Sequence, residues 1–255
     1  YETINEYMER DYVVPKNFED YLYVSQLLQA RGMKTAIEAH RRAKPYCMGT
    51  LYWQFNDCWP VTSWSSLDYY GNWKAFHYQA KRSFENLLFS IEEGNDSYRV
   101  YIVNDDLKQY SGELVIDLID FNGTKLWNKK IIFIASENSS KIHFEIPKKD
   151  FLAYNLKQAV LSVSFPPLEQ IYTRHYFFKP KDLQITKPNI QIKIIDEVTI
   201  EISSDVLAKD VFLSSENDTF FEDNYFDLLP NEKRIIKFSK PVQNIKVKSL
   251  FDTMK

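Results

Sequence analysis

The stretch Tyr46-Cys47-Met48-Gly49-Thr50-Leu51-Tyr52-Trp53-Gln54-Phe55 decides the fold, together with the run Asn56-Asp57-Cys58-Trp59-Pro60-Val61-Thr62-Ser63-Trp64-Ser65-Ser66-Leu67-Asp68-Tyr69-Tyr70-Gly71-Asn72-Trp73-Lys74 behind it. Tyr46–Phe55 is nearly continuous apolar and lacks the alternation of a strand wet on one face. It reads as a strand covered on both faces, the habit of parallel α/β sheets. Residues 56–72 then form a loop, and loops of that length inside a compact domain are usually functional. Four of the five tryptophans lie between Trp53 and Trp73. Two readings of them stand side by side. Flat aromatic faces can cover the C–H side of a pyranose while amides and carboxylates hold its hydroxyls. The same side chains can equally pin a strand to a helix as core.

Working outward, Asn17 is placed to cap a helix, with Glu19 and Asp20 in its first turn against the positive end of the dipole. The apolar face Leu22, Leu28, Ala36, Ile37, the basic end Arg41, Arg42, Lys44 and the stop at Pro45 predict one helix from about Phe18 to Ala43. On the other side Trp73, Phe76, His77, Ala80 and Phe84 recur at helical spacing and predict a second helix to about Glu85. Helix, buried strand, long loop, helix is one and a half units of a repeating β/α fold.

From Leu87 the period changes to two. Tyr98–Val103, Glu113–Leu118, Lys129–Ile134, Lys141–Ile146, Ala159–Phe165 and Ile171–Phe178 read as strands, with turn chemistry at Asn104-Asp105-Asp106 and Asn122-Gly123. Short strands at this spacing indicate an immunoglobulin-like antiparallel sandwich. Lys179-Pro180-Lys181-Asp182 and Lys187-Pro188 bracket a linker. A smaller set follows: Ile190–Ile195, Val198–Ile202, Val211–Leu213, Ile235–Phe238 and Ile245–Val247. The expected class is α/β plus all-β, with units 1–86, 87–182 and 183–255.

The chain has 255 residues, 44% apolar, with a formal charge of −3 from 32 basic and 35 acidic residues. No basic stripe is visible, so nucleic acid is not an expected partner. No apolar run approaches a membrane span. Six glycines in the whole chain argue against nucleotide-cradling loops, and no nucleophile elbow or His-Glu-x-x-His occurs. His40, His77, His143 and His175 lie far apart, so no metal and no cofactor is expected. Cys47 and Cys58 are expected as free thiols.

Trp53 is the foremost candidate binding residue. At the C-terminal end of a parallel strand its side chain would point into the mouth of a barrel, where the active sites of such barrels sit. Asn56 and Asp57 follow at once and reach toward the same mouth. Asp57 and Asp68 could in principle act as an acid–base pair on a glycosidic bond. Against this, Asp57 can tighten the turn after the strand and Asp68 can sit in the turn before Gly71.

The run Gly49–Pro60, with Ser63-Trp64-Ser65-Ser66, Tyr70-Gly71 and Trp73-Lys74 to His77-Tyr78, resembles the last barrel strand and following helix of the β-mannosidases of glycoside hydrolase family 2. The resemblance extends more weakly along the chain, including Phe177–Leu183 and Ile245–Leu250. It implies the last part of a (β/α)8 TIM barrel followed by two immunoglobulin-like sandwiches, about the final third of such an enzyme. It implies a retaining exo-β-mannosidase acting on terminal non-reducing β-D-mannosyl residues. Its acid/base and nucleophile glutamates are expected upstream of Tyr1, so no catalytic residue is assigned here. Asn5-Glu6, Asn231-Glu232, Ser136-Glu137 and Ser215-Glu216 mimic the glutamate contexts and are set aside. The family role of lining the mannose subsite falls on Trp53. The implied partner is a β-mannoside, bound with the missing N-terminal part, and the implied location is extracytoplasmic, periplasmic or secreted. A non-catalytic carbohydrate-binding or structural module is the alternative, as is a β-galactosidase or β-glucuronidase within the family. The oligomeric state does not follow from the residues.

Overall fold

The computed structural model describes residues 2–217, 219–242 and 244–254. Its first part is helical: α1 (Glu2–Asp11), α2 (Phe18–Arg42) and, after a long irregular stretch, α3 (Ala75–Ser83). The Asn17 side chain accepts from the Asp20 backbone N–H at 2.9 Å and caps α2 as its sequence suggests. The expected second helix is shorter than its pattern. Trp73 precedes it, and Lys74 stands at its N-terminus without a side-chain cap. α1 covers a segment that reads as polar. One apolar contact suffices to dock it, since Met8 is wholly buried among α2 and its neighbours.

The expected strand Tyr46–Phe55 does not form. The chain there is irregular, with Tyr46, Leu51 and Trp53 at 97%, 101% and 78% exposure. A parallel strand buried on both faces needs ladder partners on both sides. None is supplied among the described residues, and no barrel is present among them. Only the end of the stretch pairs. The Leu67 and Ser66 backbone N–H groups donate to Phe55 O and Gln54 O at 2.9 and 3.1 Å. The peptide bonds Lys44–Pro45 and Trp53–Gln54 are cis.

The rest is all-β. β1 (Leu87–Glu93), β2 (Ser97–Asn104), β3 (Tyr110–Asp120), β4 (Lys125–Ala135), β5 (Ser139–Pro147), β6 (Ala159–Ser164) and β7 (Tyr172–Tyr176) make two sheets, ordered β1-β2-β5 and β4-β3-β6-β7. Their inward residues, including Phe89, Val100, Ile102, Leu114, Ile116, Leu118, Phe133, Ile146 and Leu161, form one core. All neighbouring strands are antiparallel. The Asn122-Gly123 turn closes the β3–β4 hairpin. Gly123 takes φ +98°, and the Asp120 carboxylate accepts from the Asn122 and Thr124 N–H groups. The second unit holds β8 (Ile190–Asp196), β9 (Thr199–Ser204), β10 (Ala208–Ser214), β11 (Phe226–Leu228), β12 (Lys233–Lys237) and β13 (Lys246–Lys248), in sheets β12-β9-β8 and β11-β10-β13. Ile200, Ile202, Val211, Leu213, Phe226 and Ile236 fill it. β1 and β11 belong to no strand run read from the sequence.

The helices are bolted to both sandwiches. Arg41, buried in α2, donates to Ser83 O and pairs with Asp105 at 3.0 Å, while Lys44 pairs with the same carboxylate. Glu38 accepts from Ser90 of β1 at 2.7 Å. Toward the second sandwich, the Tyr23 hydroxyl donates to Asp210 O at 2.5 Å, Tyr78 donates to Phe221 O at 3.0 Å, and Arg82 pairs with Asp223. These ion pairs are partly buried, with Asp105 at 35% and Arg82 and Asp223 at 26% and 27% side-chain exposure. Their value here is a fixed platform under the irregular segment between α2 and α3.

Candidate functional site

Residues 46–74 lie on that platform. Their backbone makes a small ladder in which Asn56 bridges Leu67 and Leu67 bridges Trp73. Leu67 is buried, whereas Trp53, Phe55, Trp59, Trp64, Tyr69 and Tyr70 are exposed by half or more. A run of large exposed rings on one segment exceeds the scattered apolar residues of an ordinary surface and marks a contact or binding face.

Trp53 is 78% exposed, with no ring or hydrogen-bond partner among the described contacts. Asn56 is exposed too. Its backbone carbonyl accepts from the Gln54 amide at 2.8 Å, and its own amide nitrogen reaches Asp57 O only at 3.4 Å. Asp57 is different. Its side chain is 1% exposed, and both oxygens are taken up inside the loop. Ser63 Oγ donates at 2.5 Å, Ser65 Oγ lies at 2.7 Å and Lys74 Nζ at 3.2 Å. Lys74 Nζ also donates to Ser65 Oγ at 2.7 Å. Burial acts to raise the Asp57 pKa. The hydrogen bonds from Ser63, Ser65 and Lys74 outweigh it and hold the carboxyl below its ordinary value. Asp57 therefore ties residue 57 to the start of α3 and fixes the neighbouring Asn56, rather than offering its oxygens outward.

A second tie lies nearby. Ser66 Oγ donates to Phe55 O at 2.9 Å, with His77 Nδ1 at 2.9 Å and the Tyr52 hydroxyl at 3.3 Å around it. With the Ser66 proton committed to Phe55 O, His77 Nδ1 is the donor to Ser66. Burial lowers the His77 pKa, which favours the neutral ring. The ring also meets Trp73 edge-on at 4.2 Å and Phe55 at 5.6 Å. Asp68 accepts from the Tyr70 and Asn72 N–H groups at 2.8 Å each, making the turn before Gly71, whose φ is +85°. With Asp57 buried in its own ties, the two carboxylates do not make an exposed acid–base pair.

Ser63, Ser65, Ser66, Lys74 and His77 thus hold the loop, a role that spacing alone did not reveal. Small hydroxyls between aromatics signal it only when partners distant in sequence are known. Cys47 and Cys58 are free thiols. Of the glutamates set aside on sequence grounds, Glu6 is exposed on α1. Glu232 is paired with Arg174 and Arg234.

Comparison with known proteins agrees with this anatomy. Residues 96–182 match the family described as Mannosidase Ig/CBM-like domain, and residues 185–253 match the Ig-fold domain family Ig_mannosidase. The chain is 27% identical to the β-mannosidase of Mus musculus over 92% of its length, and 26% identical to β-mannosidase A of Aspergillus flavus over 96%. It spans 29% and 31% of those two proteins, less than a third of each. Among solved structures, the β-D-mannosidase from Dictyoglomus thermophilum superposes with a TM-score of 0.87 at 30% identity, covering 97% of this chain and 32% of that one. The exo-chitosanase CsxA of Amycolatopsis orientalis shares the fold at 14% identity and a TM-score of 0.74, over 97% of this chain and 37% of that one.

Proposed function

We propose that this chain, similar to β-mannosidases along nearly its whole length, is the C-terminal part of a retaining exo-β-mannosidase of glycoside hydrolase family 2. In this reading residues 1–86 complete a catalytic (β/α)8 barrel. Residues 87–182 and 183–255 are accessory sandwiches that brace it. Trp53 and Asn56 form one wall of the subsite for a terminal β-D-mannosyl ring, and Asp57 holds that wall in place. The two catalytic carboxylates of a retaining mechanism come from the rest of the enzyme.

The observation that carries the reading is the uncovered aromatic face of residues 53–70, pinned from beneath by Asp57, Lys74, Ser66 and His77. A segment so rigidly supported and so exposed has the form of half a site. The missing barrel strands would supply both the ladder partners that Tyr46–Phe55 lacks and the opposite wall.

An aryl β-D-mannoside tests it. The 255-residue chain alone should give no turnover above background, because without a nucleophile no covalent intermediate forms. A polypeptide extended upstream to the length of the relatives should hydrolyse it. In that longer protein Trp53→Ala should lower kcat/KM by about tenfold or more. Turnover by this chain alone, or an unchanged kcat/KM in the Trp53 variant, would defeat the assignment.

A further inference from the structure

On the far edge of the same loop lies a pocket of about 480 Å³, between residues 68 and 70–74 and the tip of the second sandwich around residues 212–215, 217, 219–221 and 239–240. The ladder Asn56–Leu67–Trp73 sets its near wall two strand spacings, about 10 Å, from Asn56. That is farther than one sugar ring reaches.

Its lining contrasts with the larger cleft, about 720 Å³, between α2 and the sandwiches. That cleft is walled by charges that answer one another, such as Lys34 with Glu38 and Lys209 with Asp210. In the smaller pocket the Asp68 carboxylate is consumed by its own turn, and Lys74 is engaged by Asp57 and Ser65. Apart from these two and Lys240, the lining is mainly amides, hydroxyls and rings. Tyr70 is 72% exposed, and Phe220 is 40% exposed and braced edge-on against Trp73 at 4.9 Å. Asn72 and Ser214 line the wall beside them. Thr219 Oγ1 is buried in the lining with no hydrogen-bond partner among the described residues. Buried polar atoms are almost always satisfied, so an orphan hydroxyl in a pocket wall is a place for a ligand's hydroxyl. Open aromatic faces beside neutral hydrogen-bonding groups suit a ligand that is apolar on one side and hydroxylated at its rim.

We propose that this pocket is a second glycan subsite. It binds a neutral hexose ring of a β-linked oligosaccharide, beyond the terminal ring at Trp53, with Tyr70 and Phe220 as stacking faces and Thr219 as a hydrogen-bonding group. The second sandwich then takes part in choosing the substrate. That the sugar is a mannoside rests on the function proposed above. The pocket itself does not, because its lining belongs wholly to this chain.

The test is titration of the full 255-residue chain with β-1,4-linked mannotriose, and with cellotriose in parallel, followed by protein NMR shifts. Mannotriose should bind in the millimolar range. Tyr70→Ala should weaken it by about three- to tenfold. Thr219→Val keeps the side-chain shape, so it guards against misfolding, and should weaken binding by a similar factor. Trp53→Ala should weaken it no more than Tyr70→Ala does. Absence of binding, or binding insensitive to both pocket variants, overturns the subsite. Binding lost only in Trp53→Ala also overturns it and places the sugar on the other wall. Cellotriose binding as well as mannotriose, with both pocket variants weakened, upholds the subsite and counts against the mannoside reading alone.

Discussion

Ala159–Ser164 and Tyr46–Phe55 are both short apolar runs, yet they meet opposite fates. The first is β6, paired with β3 on one side and β7 on the other and buried along nearly its whole length. The second is irregular and open, paired only at Gln54 and Phe55. An apolar run supplies side chains for a core but no partners for its backbone groups. Partners on both sides turn it into an inner strand. Where they are missing, exposed backbone finds water and the side chains follow it out.

Four measurements break or sharpen this contrast. The largest effect belongs to β6. Leu161→Ala removes a fully buried side chain and should cost about 2–5 kcal/mol by urea unfolding. Leu51→Ala, fully exposed, should shift stability by no more than about 0.5 kcal/mol. An equal cost at both sites would mean that the open segment is covered in solution.

His175 stands directly opposite Leu161 in the ladder. Burial lowers its pKa to about 4, with the Glu93 carboxylate opposing. The fold therefore favours the neutral ring. This contribution is full above the ordinary value of 6.5 and is lost as pH falls toward 4. Its size is on the order of 2–3 kcal/mol. Unfolding measured from pH 7 to 4 should show the decline in the wild type and a flatter profile in His175→Gln.

The open segment owes its shape to polar ties instead. Asp57→Asn should weaken the links to Lys74, Ser63 and Ser65 and lower local opening free energy by about 1–3 kcal/mol, read as faster hydrogen exchange at Ser66 and Leu67. The folded-state pKa of Asp57 is depressed, so its tie is fully present above 3.8 and is lost as pH falls below that value. The acid-induced rise in exchange should be absent from the variant. Smallest of all is the stability effect of Trp53→Ala, within about 0.5 kcal/mol, since the residue is 78% exposed. A larger loss would assign Trp53 to structure rather than to binding.

Much of the architecture is legible in the residues. The N-cap at Asn17, the length of α2, most of the strands and the Asn122-Gly123 turn follow from local chemistry, which acts over a few residues and travels with the sequence. β11 spans three residues, and no strand run is read there from the sequence. β1 begins where the helical pattern has only just ended. At the candidate site, the aromatic character of the loop could be read directly, whereas the strand expected to aim Trp53 and Asn56 does not form. The inward turn of Asp57 could be framed only as one of two possibilities.

Composition and order along the chain determined the helix, the strands and the concentration of rings between Trp53 and Trp73. Tertiary structure alone decided that Asp57 serves Lys74 and the loop serines, that Ser66 and His77 meet, and that this chain by itself pairs Tyr46–Phe55 only at Gln54 and Phe55. The physical reason is the same in each case. Periodicity and capping are local, whereas ladder pairing and the satisfaction of a buried carboxylate depend on groups that only folding brings within hydrogen-bond distance.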